Sequence, residues 1–258
     1  KGELIELFDK LIVPILCFGS EIWGINDVLQ IERIQLHFFK DILGVRSQTQ
    51  NNFIYGELGR YPLKITCLVN VIRYWLKIVE SPETKYIKAT YNMMINDLEL
   101  YPNKKSWAKS VKHVLDTLGF SDAWINQNVG NSKHFLSIFK QRVKDNYLQI
   151  WNNEVENSTR ARTYKLFCSF NFKSYLDNIS FDKNRFALTR FRVSAHRLEV
   201  EAGRWHKPHK IPYDDRKCQN CKILEDEFHF LLECPLYHEI RKCHIKRYYW
   251  NHPNVPKF

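Results

Sequence analysis

A chain of 258 residues that is 44% hydrophobic, with 17 Phe, 13 Tyr and 7 Trp, carries enough apolar surface for a core of one to two domains, which excludes a disordered tail. Its 39 Lys and Arg against 28 Asp and Glu give a net charge of +11, which points to an acidic partner, with nucleic acid first and an anionic membrane surface second. Seven cysteines, an odd count, with no stretch that reads as a signal peptide or a twenty-residue apolar span, argue against a secreted disulfide scaffold and a membrane helix. A reducing intracellular compartment is expected, in which the sequons at Asn157 and Asn178 are incidental.

Almost every segment has a helical period. Leu4, Leu7, Leu11 and Ile15 line one face of a first helix that Pro14 bends or interrupts. A second helix runs from an Asp27 cap to Gly44, with Ile31, Ile34, Phe38 and Ile42 inward and Arg33, His37 and Lys40 outward. After the break at Gly56-Glu-Leu-Gly-Arg60, Pro62 opens a long apolar helix from Leu63 to Glu80 that contains Ile72, Trp75, Leu76 and Val79. Further helices are expected near Lys85–Asp97, from a Ser106 cap to Leu118, and from a Ser132 cap through Phe135, Phe139, Val143 and Trp151 to about Glu154. The polar break at 152–158 is the best domain boundary, giving segments 1–60, 61–157 and 158–258. Strand signals are scarce, the clearest being Leu198-Glu-Val-Glu201 and a short hairpin carrying Cys218-Gln-Asn-Cys221. The expected class is therefore mainly α: a helical bundle followed by a small metal-centred lobe with short strands and a terminal helix.

That lobe is defined by Cys218-Gln-Asn-Cys221, followed by seven residues to His229 and four more to Cys234. Three thiolates and one imidazole at this spacing can enclose one zinc ion in a tetrahedron, and no corner is left for water. A closed site is structural, so the motif predicts a folded binding module rather than a zinc hydrolase. A Cys218–Cys221 redox pair would sit in a βαβ context, and none is visible. His238, Cys243 and His244 lie close enough in sequence to replace a nominal ligand. Cys17, Cys67 and Cys168 fall in apolar runs and read as buried thiols.

Positive charge concentrates just before the knuckle. Between residues 183 and 217 stand Lys183, Arg185, Arg190, Arg192, Arg197, Arg204, Lys207, Lys210, Arg216 and Lys217, against Glu199, Glu201, Asp214 and Asp215. On a helix from about Asp182 to Leu198, the residues Leu188, Phe191, Ala195 and Leu198 form an inward stripe. Arg185, Arg192 and His196 then lie on one flank, and Arg190 and Arg197 on the other. Planar guanidinium groups at this density suit phosphate, and Trp205 with His206 and His209 adds stacking surface. The competing reading is a solvated face, or arginines paired with Glu199, Glu201 and the Glu225-Asp-Glu227 cluster.

No catalytic constellation stands out. Tyr213-Asp214-Asp215 lacks the spacer of a polymerase aromatic-x-Asp-Asp motif, and no third carboxylate accompanies it. There is no phosphate-cradling Gly-rich loop and no nucleophile with a recognisable base.

Five blocks in order carry a resemblance. They are residues 7–23 (LFDKLIVPILCFGSEIW), 56–63 (GELGRYPL), 141–151 (QRVKDNYLQIW), 190–197 (RFRVSAHR) with Gly203-Arg-Trp205, and the closing Cys-x-x-Cys, His, Cys with Glu227-Phe-His229 and Glu233-Cys-Pro235. Together they resemble the region after the reverse-transcriptase domain of LINE-type, non-LTR retrotransposon proteins. The resemblance spans nearly the whole chain, and of its blocks only the knuckle is specific alone. It implies a thumb up to about Gly59, then a helical linker and zinc knuckle that engage template RNA or target DNA in the nucleus. It places the palm, with its metal-binding aspartates, upstream of Lys1 in a parent RNA-directed DNA polymerase. No polymerase or endonuclease activity is then expected of this chain. The alternatives are a host-recruited zinc and helix module for protein contacts, and a nuclease, which would need converging carboxylates.

Overall fold

The computed structural model describes residues 1–101 and 103–251. It is mainly helical, and among the described residues the only β pairing is two isolated bridges, Leu58 with Phe172 and Lys217 with Leu224. The chain divides into two compact units, one of Lys1–Phe38 with Arg60–Asn152, the other of Phe39–Gly59 with Asn153–Phe258. No helix is long and apolar enough to cross a membrane among the described residues.

The first unit is built round the helix Leu63–Val79. Its apolar period buries Ile72, Trp75 and Leu76, as the sequence predicts. Around Trp75 pack Val111 and Leu115 from Trp107–Thr117, Tyr91 from Tyr86–Leu100, Trp124 from Ser121–Asn126, and Phe139 and Val143 from Ser132–Asn157. The polar edge of the Trp75 ring is satisfied inside the core: Nε1 donates to the Tyr91 hydroxyl at 2.8 Å, which donates to Gln127 Oε1 at 2.8 Å. Ser106 caps its helix as expected, accepting from the Lys109 N–H at 3.1 Å. At the start of the helix Ser132–Asn157 the cap is Asn131, not Ser132, because Asn131 Oδ1 accepts from the His134 N–H at 3.0 Å.

Two inward faces differ from the periodic reading. The first helix passes Pro14 by widening into a π-turn at Phe8–Ile12, since Pro14 offers no N–H to the preceding turn. Ile5 and Phe8 turn inward, while Leu4, Leu7, Leu11 and Ile15 are exposed. In Leu29–Leu43 the buried residues are Gln35, Phe39, Ile42 and Leu43, whereas Ile34 is exposed. Gln35 is buried because its side-chain amide donates to the Tyr61 carbonyl at 3.3 Å. Cys17 and Cys67 are buried with their sulfurs 3.9 Å apart, as apolar-run thiols should be; Cys168 is only half buried.

The second unit is organised by a buried carboxylate. In the helix Asn51–Leu58 every residue from Phe53 to Leu58 is buried, and Glu57 is 0% exposed. Arg192 meets it with a two-pronged pair, Nε and Nη2 each at 2.9 Å, and the Tyr175 hydroxyl donates to it at 2.9 Å. Gly59 ends this helix at φ +60°, and a Cβ there would lie 2.5 Å from the Phe172 nitrogen, so only glycine permits the approach.

The basic helix is shorter than expected and presents a different face. It covers Asp182–Arg192 and stops at a turn in which Ser194 has φ +52°. Arg185, Thr189 and the following Val193 are buried, and Phe191 is half buried beside Phe230. The inward stripe through Leu188 and Phe191 is thus corrected: the polar side must turn in to neutralise Glu57. Leu198-Glu-Val-Glu201, which has strand propensity, begins the short helix Glu199–Ala202, because Glu225 Oε2 accepts the Glu199 N–H at 2.8 Å and so replaces a local cap. The expected hairpin around the Cys-x-x-Cys is reduced to the single bridge at Lys217 and Leu224. Short helices His238–His244 and Arg247–Asn251 follow the knuckle.

Candidate metal centre and basic surface

The turn after Lys217 is tight. The Cys218 N–H donates to the Ile223 carbonyl at 2.7 Å and the Lys222 N–H to the Cys218 carbonyl at 2.9 Å, with Lys222 at φ +61°. On the other side a π-turn, His229–Glu233, starts where Asp226 Oδ1 accepts the His229 N–H at 2.8 Å. These two turns bring one ligand atom each from Cys218, Cys221, His229 and Cys234 within 4.8 Å of one another, a group that can hold a metal ion. Cys221 and Cys234 sulfurs stand 3.7 Å apart. The edge between two sulfurs of a zinc tetrahedron with bonds of ~2.3 Å is about 3.8 Å. His238, Cys243 and His244 are exposed and lie outside this group.

Two further observations fit a cation. His229 is 3% exposed, and neither of its ring nitrogens has a hydrogen-bond partner, a cost that a coordinate bond removes. The Glu233 carboxylate, 3.6 Å from Nδ1, is too far to supply one. The sulfurs also oppose one another. Burial works against ionisation of Cys218, but the N–H groups of Cys221 and Asn220 and the neighbouring His229 outweigh it and bring the thiol to about 7. Burial and the nearby Cys221 and Cys218 sulfurs push Cys234 up. A positive ion at the centre relieves that conflict.

The supports of this centre were not legible in the sequence. Arg241, buried, donates Nε to the Leu231 carbonyl at 2.7 Å and Nη2 to the Cys234 carbonyl at 2.9 Å, pinning the ligand-bearing turn to the helix His238–His244. Glu227, also buried, pairs with His196 at 2.9 Å. Burial would raise the Glu227 carboxyl, but His196 outweighs it and holds it below the ordinary value. An arginine near a helix end reads as surface charge, so only packing shows its role.

The ten residues predicted to bind nucleic acid, nine cations of the basic run together with Trp205, separate into two groups. Arg185 is 3% exposed, donating to the Ile179 carbonyl at 2.8 Å and pairing with Asp182; Arg192 holds Glu57. Arg216 is buried against the Val200 and Ile211 carbonyls, and Arg204 pairs with Glu201 at 2.9 Å. These four guanidinium groups are occupied inside the protein. Arg190, Arg197, Trp205, Lys207, Lys210 and Lys217 are exposed. Of these, Arg190 donates Nε to the Gly44 carbonyl at 2.6 Å, and Lys217 lies 4.0 Å from Asp215. Sequence reasoning missed Arg46 and Arg160. Both border, with Arg197 and Trp205, an open cleft of about 580 Å³ in the second unit. Their signal was absent because they lie far from the basic run.

Tyr213-Asp214-Asp215 forms an exposed 3-10 turn, with the Arg162 guanidinium 4.5 Å from the Tyr213 ring centroid. Among the described residues the Cys and His group is the only cluster of side chains able to hold a metal ion.

The fold and site define a mainly helical protein with a Cys3His cluster that could hold a metal ion. No family model, no curated protein and no solved structure matches the chain.

Proposed function

We propose that this chain is a zinc-stabilised nucleic-acid-binding module, of the kind that follows the reverse-transcriptase domain in LINE-type retrotransposon proteins. Cys218, Cys221, His229 and Cys234 would hold one zinc ion, whose chemistry is structural: it crosslinks two turns that the local sequence cannot hold together. The protein's own groups then do the binding. The observation that carries the reading is a set of exposed, uncompensated arginines: among the described residues, no acidic group pairs with Arg46 or Arg197. Lys207 and Lys210 extend the positive surface.

Three of the blocks that carry the family resemblance also meet in space, which supports reading those three as one functional region. Glu57 of the Gly56–Leu63 block holds Arg192 of the Arg190–Arg197 block, and His196 of that block holds Glu227 of the knuckle. In the parent polypeptide the module would hold template RNA or target DNA beside an upstream palm, inside the nucleus. With primer, template, nucleotides and magnesium, the chain alone should yield no product, assayed by primer extension. Extension abolished by Asp215→Ala would refute that reading.

Contacts to phosphate release counterions, so affinity should fall as salt rises, each contact adding about −0.7 to −0.9 to the log–log slope. Replacing Arg46 and Arg197 together by Ala should flatten that slope by about 1 to 2 units, with the thermal midpoint unchanged. Weak, salt-insensitive binding by the unsubstituted chain would instead favour a module for protein contacts.

A further inference from the structure

We propose that the cleft beside Trp205 takes an unpaired base, so that the ligand of this surface is a single strand rather than a duplex. The inference rests on the nucleic-acid reading above and adds the strandedness of the ligand.

The indole is built into a rigid frame yet left open. Trp205 follows the short helix Glu199–Ala202, and the chain leading into it is pinned. Arg204 is tied to Glu201 and to the Thr159 carbonyl at 3.0 Å, and Arg216 to the Val200 carbonyl at 2.8 Å. The Trp205 side chain itself remains 58% exposed, leaving a large apolar ring in water. One side of it is occupied, because the Arg160 guanidinium lies 5.0 Å from the ring centroid. Arg160 is placed there by the turn that ends the basic helix, where Ser194 Oγ donates to the Arg160 carbonyl at 2.9 Å. A ring backed by a guanidinium and open on a cleft is a stacking platform.

The rest of the cleft supplies what a nucleotide needs beyond its ring. Its volume of about 580 Å³ is within the ~300–1,000 Å³ of small-ligand sites. Gln48 and Thr49 line it with donors and acceptors for a base edge. Arg46 and Arg197 stand at it with no internal acid, free for phosphate. The acids nearby are engaged: Glu201 by Arg204, and Glu227 by His196. In a duplex the bases are stacked on each other and their faces are closed to a side chain, whereas every base of a single strand has a free face.

The test uses the full chain with zinc, an RNA 12-mer lacking self-complementarity, and the same 12-mer annealed to its complement, with affinities from fluorescence anisotropy at fixed salt. Trp205→Ala should weaken single-strand binding about tenfold while changing duplex binding less than twofold and leaving the salt slope unaltered. Trp205→Phe keeps a stacking face and should lose no more than about threefold. Equal loss on both ligands, no loss on either, or a Phe variant as weak as the Ala variant would overturn the stacking site while leaving the nucleic-acid reading in place. Wild-type protein that binds neither ligand at low salt would overturn both.

Discussion

Stripping the metal should collapse the knuckle while the helix Leu63–Val79 stays protected. Purified protein is expected to carry about one zinc per chain, and His229→Ala or Cys221→Ser should release it. The free energy of such a site is folding energy of order 10 kcal/mol, because the ligands converge only when both turns are formed. The geometry sharpens where the loss should appear. His229 is buried with unpartnered nitrogens, and the backbone from Leu231 to Cys234 is held by Arg241. Amide-exchange protection should therefore disappear together across 218–245 when the metal is chelated, and return when zinc is restored. A metal-free preparation that keeps native protection across 218–234 would show that the thiols and imidazole need no ion.

Cutting the buried pair at Glu57 should be the second large effect. Arg192→Ala leaves a fully buried carboxylate with the Tyr175 hydroxyl but no counter-charge, and breaking a buried pair from one side costs about 3–5 kcal/mol. Arg192→Lys should recover only part, since an ammonium cannot reproduce the two-pronged contact or the guanidinium placed 4.4 Å from the Phe167 ring centroid. Replacing both partners by apolar residues, Glu57→Leu with Arg192→Met, should be less damaging than Arg192→Ala, because no charge is then stranded. Urea unfolding of wild type beside these variants measures this. A single Arg192→Ala change costing under about 1 kcal/mol would mean that the pair contributes little and that water reaches Glu57. This result also bears on nucleic-acid binding: any loss seen on replacing Arg192 reports unfolding rather than a lost phosphate contact.

The Cys3His cluster that could hold a metal ion is legible in the sequence because its chemistry is local and discrete. Cys-x-x-Cys supplies two donors from one turn, and the spacing to His229 and Cys234 admits few other uses of four soft groups. The helices are legible too, wherever an apolar period runs unbroken, as in Leu63–Val79 with Ile72, Trp75 and Leu76. Composition alone also determines that the chain has a core, and its charge points toward an acidic ligand. What the amino-acid order cannot carry is which way a charged helix faces. Arg185, Arg192 and Arg197 are the same residue within a few turns of chain, yet the first two turn inward and the third is exposed. Arg192 is turned by Glu57, more than a hundred residues earlier, whose burial in Asn51–Leu58 obliges a cation to turn inward and overrides the pattern of Leu188 and Phe191, and Arg185 is held by the Ile179 carbonyl and Asp182. Long-range pairing likewise gives Leu198–Glu201 a cap from Glu225, and so a helix where β-propensity favours a strand. The same tertiary contacts join residues 39–59 to 153–258 and set Arg46 and Arg160 beside Trp205, since a surface is assembled by distance in space and not by distance along the chain.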